Sequence, residues 1–244
     1  MTQFHHLKYG LLLTALALRI SAATLTADYR FQGNLNDSLP GGTPLTGNGG
    51  TVGATTYDFS YGQGLFGSGI LADGGDYSLV IRFLFTENAS WNKFVDFKNR
   101  TSDCGQYVNG TLNFFCLGAG GPTFTTDVFH NVVLTRNGTT GLYSAYLDGN
   151  LAFSVTDLGG TASFSINNRT MYFMGDDLST SNAENSPGSL DRIRIYDGAL
   201  TQAEISNLDL SEPTNTSAVP EPQTAGIFAA AAAGLVMLRR RVSR

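Results

Sequence analysis

The histidines and glutamates set the first limit on the chemistry available to this chain of 244 residues. His130 is the one histidine after residue 23, which excludes most histidine-based triads and any metal site with several histidine ligands. Glycoside hydrolysis needs two carboxyl groups about 5 Å apart. The glutamates before the C-terminal tail are Glu87, Glu184, Glu204 and Glu212. None of them has a sequence spacing that would pair it with another acid on the same strand. We therefore expect a protein that is not an enzyme, with His130 in a structural role.

Aromatic side chains are the usual platforms for sugar rings, because a pyranose face stacks on a flat ring while its hydroxyl groups pair with Asp and Asn. Trp91 is the only tryptophan and lies in Asn88-Ala-Ser-Trp-Asn-Lys, a turn that enters a strand. It is our candidate ligand-binding residue. A role as a core or rim anchor is the alternative.

Acidic residues in glycine-rich segments are candidates for holding a cation. Ca²⁺ takes six to eight oxygens from carboxylates, amides and backbone carbonyls. The pairs Asp176-Asp177 and Asp73/Asp76 lie in such segments. We expect both pairs to be solvated loop acids rather than ligands.

Cys104 and Cys116 are the two cysteines, and Asn109-Gly110 between them is a strong signal for a tight turn. A hairpin would bring the cysteines near each other across the strand pair. In an oxidising compartment we expect a disulfide, which contributes roughly 3 kcal/mol for a loop of this size. Two buried free thiols are the alternative, and the spacing fits neither a metal site nor a redox motif.

The N-terminus has the pattern of a secretory signal peptide over residues 1–23. Basic side chains at His5, His6 and Lys8 precede an apolar run over residues 10–18, and small residues end the segment at Ala23. Such a segment is too short to span a membrane and is removed on export.

The C-terminus consists of a polar segment, a charge-free apolar stretch over residues 225–238, and an arginine cluster. The stretch is shorter than the roughly 20 residues that cross a bilayer comfortably, and the arginines place the C-terminus on the cytoplasmic side. The flanking residues are Pro220, Glu221, Pro222, Arg239, Arg240 and Arg241.

Residues 219–244 resemble the PEP-CTERM sorting signal of Gram-negative bacteria that make exopolysaccharide. The resemblance implies that a hydrophobic helix over residues 225–238 anchors the protein transiently in the inner membrane. An exosortase-type enzyme then removes it near Pro-Glu-Pro, which sends the protein to the cell surface or extracellular matrix. A permanent C-terminal tail anchor is the alternative.

The two terminal segments hide how acidic the rest of the chain is. Six of the 15 Lys and Arg residues lie outside residues 24–222, and all 20 acidic residues lie inside, which leaves a formal charge of about −11. Such a surface repels phosphate backbones, so nucleic acid is excluded as a partner. A neutral or basic partner, or a cation, fits it.

The body has the pattern of an all-β protein with two antiparallel sheets packed as a jelly-roll sandwich. Short runs rich in aromatic and β-branched residues alternate with Gly, Asn, Asp and Thr every 8 to 12 residues. The predicted strands are 77–85, 93–97, 128–136, 141–147, 151–155 and 190–196. A capping box of Thr201 and Glu204 predicts one helix over residues 201–208. The expected body is a single domain over residues 24–210, followed by a linker over residues 211–218.

Three segments carry a resemblance to LamG-like domains of the concanavalin A-like lectin/glucanase class. They are residues 29–38 (YRFQGNLNDS), 129–150 (FHNVVLTRNGTTGLYSAYLDGN) and 190–208 (LDRIRIYDGALTQAEISNL). The last segment is the most specific. By this resemblance, Asp191 would bind a structural calcium together with Asp37 or a neighbouring carbonyl. A strand cap at Asp191 and an Asx turn at Asp37 are the alternative.

The resemblance implies an exported, non-catalytic module that binds glycan or another component of the extracellular matrix, such as exopolysaccharide. The alternative is a structural or protein-adhesive surface component without sugar specificity. A carbohydrate-active enzyme is the third hypothesis.

Overall fold

The computed structural model describes residues 23–165 and 167–209 of the chain. The predicted signal peptide up to residue 22, the linker over residues 211–218 and the sorting signal over residues 219–244 lie outside this part. Within it, no helix is both long and apolar enough to cross a membrane.

The described residues form strands with one short α-helix near the C-terminal end. The strands are β1 (Thr24–Tyr29), β2 (Thr46–Asn48), β3 (Thr51–Val52), β4 (Tyr57–Phe59), β5 (Gly64–Gly67), β6 (Tyr77–Phe85), β7 (Asn92–Asp96), β8 (Gly105–Asn109), β9 (Thr111–Phe114), β10 (Ala119–Thr123), β11 (His130–Arg136), β12 (Leu142–Leu147), β13 (Asn150–Thr156), β14 (Met171–Phe173) and β15 (Gly188–Asp197). The helix is α1 (Gln202–Ser206). Each predicted strand has a counterpart that differs by at most two residues at either end.

The strands build two antiparallel sheets. The first has the order β13-β12-β11-β6-β15-β4-β3, and β1 also pairs with β15. The second has the order β10-β9-β8-β7-β14-β5-β2. The prediction of an all-β, two-sheet jelly-roll sandwich is therefore confirmed.

The core lies between the two sheets and is rich in phenylalanine. Phe83 of the first sheet contacts Phe94 of the second, with ring centroids 4.9 Å apart, and Phe124 at 5.3 Å. All three side chains are fully buried. Burial of one such side chain contributes about 1.5–3 kcal/mol, so these contacts hold the two sheets together.

Helix α1 packs on part of the outer face of the first sheet. The predicted capping box is present: the Glu204 N–H donates to Thr201 Oγ1 at 3.3 Å, and the Thr201 N–H donates to Glu204 Oε2 at 2.7 Å. Ile205 is buried against a cluster that includes Val133 and Tyr196 of this sheet. The helix thus shields part of this face from solvent. It is shorter than predicted because Asn207 is already its C-cap residue.

His130 is held by hydrogen bonds at both of its ring nitrogens. Its Nδ1 lies 2.7 Å from Asp148 Oδ2, and its Nε2 lies 2.8 Å from Thr125 Oγ1 and 3.2 Å from the Thr125 carbonyl oxygen. Asp148 also accepts a hydrogen bond from the Asn131 N–H at 2.8 Å. The ring therefore joins the start of β11 to the β12–β13 turn and to the preceding loop.

The predicted hairpin and its disulfide are both confirmed. Asn109 of β8 pairs with Thr111 of β9 across Gly110, whose φ of 65° suits glycine. Cys104 and Cys116 are joined, with Cα atoms 5.1 Å apart. The bond closes the open end of the β8–β9 pair.

We expect the double substitution of Cys104 and Cys116 by serine to lower the free energy of unfolding by roughly 3 kcal/mol, because the unfolded chain regains the entropy of a 12-residue loop. Urea unfolding measures the change. Wild type treated with reductant serves as the control and should lose the same amount. An unchanged midpoint in both samples would contradict a stabilising disulfide.

Candidate functional site

The outer face of the second sheet carries the polar and aromatic groups that could bind a ligand. Lys93 pairs with Tyr107 across β7 and β8. Their neighbours Phe94 and Val108 are buried in the core, and side chains alternate between the two faces of a strand. Lys93 and Tyr107 therefore face outward, where the loops over residues 97–104 and 174–187 lie on them.

Lys93 is buried at the centre of a group of carboxylates, which we call the lysine cluster: Lys93, Asp96, Asp176 and Asp177. Lys93 Nζ lies 2.5 Å from Asp177 Oδ2, 3.5 Å from Asp96 Oδ2 and 3.6 Å from Asp176 Oδ1. All four side chains are 0% exposed. Charges removed from water in this way are stable only when they are paired and hydrogen-bonded.

Each carboxylate of the lysine cluster also organises a loop. Asp96 Oδ1 accepts hydrogen bonds from the N–H groups of Lys98 and Arg100. Asp177 Oδ1 accepts from the N–H groups of Ser179 and Thr180. The cluster therefore fixes both loops to the sheet.

Gly105 makes room for the Lys93 side chain. It begins β8 opposite Asp96 of β7, and the Lys93 side chain passes close to it. A Cβ atom there would lie 2.9 Å from Lys93 Cε and 2.9 Å from the Val95 carbonyl oxygen. A larger residue would therefore push the lysine away from its carboxylates.

The lysine cluster shifts the pKa values of its acids in opposite directions. Burial dominates at Asp96 and raises the pKa of its carboxyl group. Burial also acts to raise the pKa of Asp177, but the hydrogen bond and charge of Lys93 outweigh it and lower this pKa to about 2. Asp177 thus stays ionised as the main partner of Lys93.

Beside the cluster lies an aromatic platform made of Trp91, Tyr107 and Phe115. The Trp91 ring contacts Tyr107 with centroids 5.5 Å apart and Phe115 at 5.3 Å, both edge to face. Trp91 is half-buried and Phe115 is 46% exposed. Tyr107 is buried beneath them and provides the support.

Two partly exposed acids, Asp103 and Glu184, form an acidic rim at the hydroxyl end of Tyr107. The Tyr107 hydroxyl lies 2.9 Å from Asp103 Oδ1 and also interacts with the Glu184 carboxyl group. One carboxylate oxygen from each of Asp103, Glu184 and Asp177 lies within 4.8 Å of the others. Burial, followed by the charges of Asp103 and Asp176, raises the pKa of Glu184 to about 7.

The disulfide connects the platform to the rim. Asp103 directly precedes Cys104, and Phe115 directly precedes Cys116. The covalent bond between the cysteines therefore sets the distance between one rim acid and one platform ring.

The structure places Trp91 in this site, but it contradicts the prediction that Asp176 and Asp177 are solvated. Both are fully buried. The reason is Lys93, whose ammonium group compensates their charge where water cannot. Of the other predicted pair, Asp73 accepts a hydrogen bond from the Gly75 N–H in an exposed turn, whereas Asp76 is partly buried.

The two predicted calcium ligands have separate protein partners. Asp37 Oδ1 accepts hydrogen bonds from the N–H groups of Asp28 and Leu39, and the second of these forms an Asx turn. Asp191 Oδ2 lies 2.8 Å from Arg82 Nε. A guanidinium group bound to Asp191 disfavours a cation there, and calcium at these residues stays a prediction.

Sequence reasoning missed Lys93, Asp103, Glu184 and Phe115. Lys93 looked like an ordinary strand residue, and the two acids lie in loops without a repeating pattern. One signal was available, since Asp103 and Phe115 flank the two cysteines whose pairing was predicted.

Replacing Lys93 by methionine should cost about 3–5 kcal/mol of stability, because Asp176 and Asp177 would be left buried without a cation. Lys98→Met is the matched control, since Lys98 Nζ bonds two backbone carbonyls and no carboxylate. Urea unfolding compares the two variants. Equal losses would contradict the role of the cluster, and adding Asp176→Asn and Asp177→Asn to the Lys93 variant should recover part of the loss.

Glu184→Gln should stabilise the protein above about pH 7. The raised pKa means that Glu184 favours folding below its unfolded pKa and loses this contribution as the pH rises towards about 7. Glutamine removes the repulsion, and after allowance for solvent screening we expect a melting temperature higher by roughly 2–4 °C. Thermal melts from acid to neutral pH test this. A melting temperature below that of wild type at neutral pH would contradict it.

A family model described as the concanavalin A-like lectin/glucanases superfamily, Laminin_G_3, matches residues 66–206. Domain 4 of AbnA, a GH43 extracellular arabinanase from Geobacillus stearothermophilus solved with arabinotriose, is similar over 79% of this chain and 100% of that chain. Its TM-score is 0.59 at 19% identity. No curated protein matches the chain.

Two further structures are similar over part of their length. The binding domain of botulinum neurotoxin serotype D matches 75% of this chain and 50% of its own, with a TM-score of 0.53 at 14% identity. Trypanosoma rangeli sialidase in complex with 2,3-difluorosialic acid matches 78% of this chain and 33% of its own, with a TM-score of 0.60 at 15% identity. At these identities the structures show a common fold, and the family match covers more than half of the sequence. The chain belongs to the concanavalin A-like lectin/glucanase superfamily.

Proposed function

We propose that the protein is an exported, non-catalytic module that binds glycan through the aromatic platform and the acidic rim. The observation that carries this proposal is the position of exposed Phe115 and half-buried Trp91 next to the partly exposed acids Asp103 and Glu184. Rings that accept the apolar face of a sugar thus lie beside acceptors for its hydroxyl groups.

The structures of similar fold support a role with carbohydrate. The arabinanase domain was solved with arabinotriose and the sialidase with a sialic acid derivative. Exopolysaccharide or another matrix glycan is the corresponding ligand class for an exported protein.

Oxygens of Asp103 and Glu184 lie within 4.8 Å of each other, which is near the spacing of the two acids in retaining glycosidases, but both acids interact with one hydroxyl group, that of Tyr107, and we take this placement as favouring binding. Glycoside hydrolysis needs two carboxyl groups on either side of the scissile bond. Asp103 and Glu184 both interact with the hydroxyl group of Tyr107 and so lie together at one end of the platform. Asp177, the third acid, is fully buried and bound to Lys93, which keeps it from a substrate.

The localisation of the protein outside the cytoplasm is part of the same proposal. The disulfide suits an oxidising compartment, as expected of an exported protein. The proposed route uses the signal peptide, the transient inner-membrane anchor over residues 225–238 and an exosortase-type enzyme, and it ends at the cell surface or in the extracellular matrix. A structural or adhesive surface protein without sugar specificity is the competing proposal.

Trp91→Ala should weaken glycan binding by about tenfold or more, because loss of a tryptophan at a binding hot spot costs about 2 kcal/mol. A glycan array with wild type first identifies a ligand, and titration calorimetry then compares the variant. Tyr61→Ala is the control, since Tyr61 is 56% exposed and takes no part in the platform.

Equal affinities of wild type and the Trp91 variant would place the glycan elsewhere. Absence of saturable binding to any sugar on the array, with and without calcium, would overturn the glycan proposal in favour of the structural or adhesive one.

A further inference from the structure

We infer that the glycan carries free amino groups, so that a protonated amino sugar binds with its ammonium ion at the acidic rim and its ring on the aromatic platform. This inference rests on the proposed function and names the ligand class of the same site. It follows from the charge of the site, from how the protein binds its own lysine there, and from the geometry around Tyr107.

The site holds more negative charge than its own cation compensates. Within the described ranges, Lys93 is the one cationic side chain in a salt bridge with any of its five carboxylates. The five are Asp96, Asp103, Asp176, Asp177 and Glu184. Asp176 supplies separate evidence of the excess, because its Oδ1 atom is buried without a hydrogen-bond partner among the described residues.

The neighbouring arginine does not remove this excess. Arg100 donates to the Asp176 carbonyl oxygen and to Asn182 Oδ1, and its guanidinium group lies over the Tyr172 ring. These partners are neutral, so the acidic rim keeps its charge for an incoming cation.

The protein already binds one ammonium ion in the way proposed for the ligand. Lys93 Nζ lies 5.0 Å from the centroid of the Tyr107 ring and is bound to a carboxylate. An aromatic face combined with a carboxylate is the usual recognition of an alkylammonium ion. The rim and platform offer the same combination of groups, with the aromatic faces supplied by Trp91 and Phe115 and the carboxylates by Asp103 and Glu184.

Tyr107 brings the two halves of the ligand site together. Its ring contacts Trp91 and Phe115, and its hydroxyl group reaches Asp103 and Glu184. A saccharide with one ring on Trp91 and Phe115 would therefore have the two acids beside it, at the hydroxyl end of Tyr107. The disulfide next to Asp103 and Phe115 holds this spacing.

Other charged ligands fit the site less well. A uronate or sulfate group would meet the carboxylates of Asp103 and Glu184 and be repelled. A metal ion held by Asp103, Asp177 and Glu184 would share Asp177 with the Lys93 ammonium group, 2.5 Å from it, and be repelled in turn. An ammonium ion at Asp103 and Glu184 avoids both conflicts.

The test compares three β-1,4-linked tetrasaccharides that differ at carbon 2 alone: glucosamine, N-acetylglucosamine and glucose. Titration calorimetry with the full protein at neutral pH measures the affinities. We expect the glucosamine tetramer to bind roughly five- to tenfold more tightly than the other two, which is the range for one partly exposed ion pair with a cation–π contact. The preference should shrink as salt is added.

Two substitutions and one control complete the test. Glu184→Gln and Asp103→Asn should each reduce the preference for glucosamine at least twofold and leave the affinity for the glucose tetramer within twofold. Asp58→Asn is the matched control, because it removes one exposed carboxylate from β4 of the other sheet. Since Glu184→Gln is expected to stabilise the fold, a loss of preference in this variant would not come from misfolding.

The outcomes separate this inference from the proposed function. Equal affinities for the three tetramers, or tighter binding of the N-acetylated one, would overturn the amino-sugar inference and leave the glycan module standing. A glucosamine preference that survives both rim substitutions would overturn it as well. No binding by any tetramer, together with a negative glycan array, would overturn both.

Discussion

The salt bridges of buried Lys93 are the interaction on which the rest of the site depends. One ammonium group, fully removed from water, holds acids from the sheet and from the loop over residues 174–187. Asp96 in turn anchors the loop over residues 97–104 through two backbone N–H groups. A buried charge without its partner costs several kcal/mol of stability, so moving either loop away from the sheet would carry a free-energy penalty of that size. The exposed rim and platform are therefore built on a rigid base.

The two outer faces of the sandwich are closed by different means. Helix α1 packs on part of the first sheet with apolar contacts around Ile205, and the same face carries a buried ion network of Asp28, Arg192 and Arg194. Loops cover the second sheet with a charged network, and this network leaves partly exposed acids at its edge. Among the described residues, three arginines contact one aspartate, Asp28, at the first sheet, whereas one lysine contacts three aspartates at the second. The surplus of negative charge thus lies at the second sheet.

Much of the fold could be predicted from local patterns, and little of the site could. The strands at 77–85 and 190–196, the turn at Asn109-Gly110 and the capping box at Thr201 rest on residues close together in sequence. The disulfide followed from the hairpin. Lys93 of β7 and Asp177, by contrast, are 84 residues apart and meet because the loop over residues 174–187, which has no periodicity, lies on the sheet. Their burial depends on each other, so neither residue alone signals it. Asp176 and Asp177 were therefore expected in solvent.

The disulfide also determines when the candidate site can reach its final arrangement. Under the proposed export, Cys104 and Cys116 would stay reduced in a cytoplasm kept reducing by thiols and would become joined in an oxidising compartment. Until then, the segment with Asp103 and the segment with Phe115 have no covalent link. Along the proposed export route, the disulfide would therefore set the spacing of rim and platform only in the compartment where the proposed glycan lies.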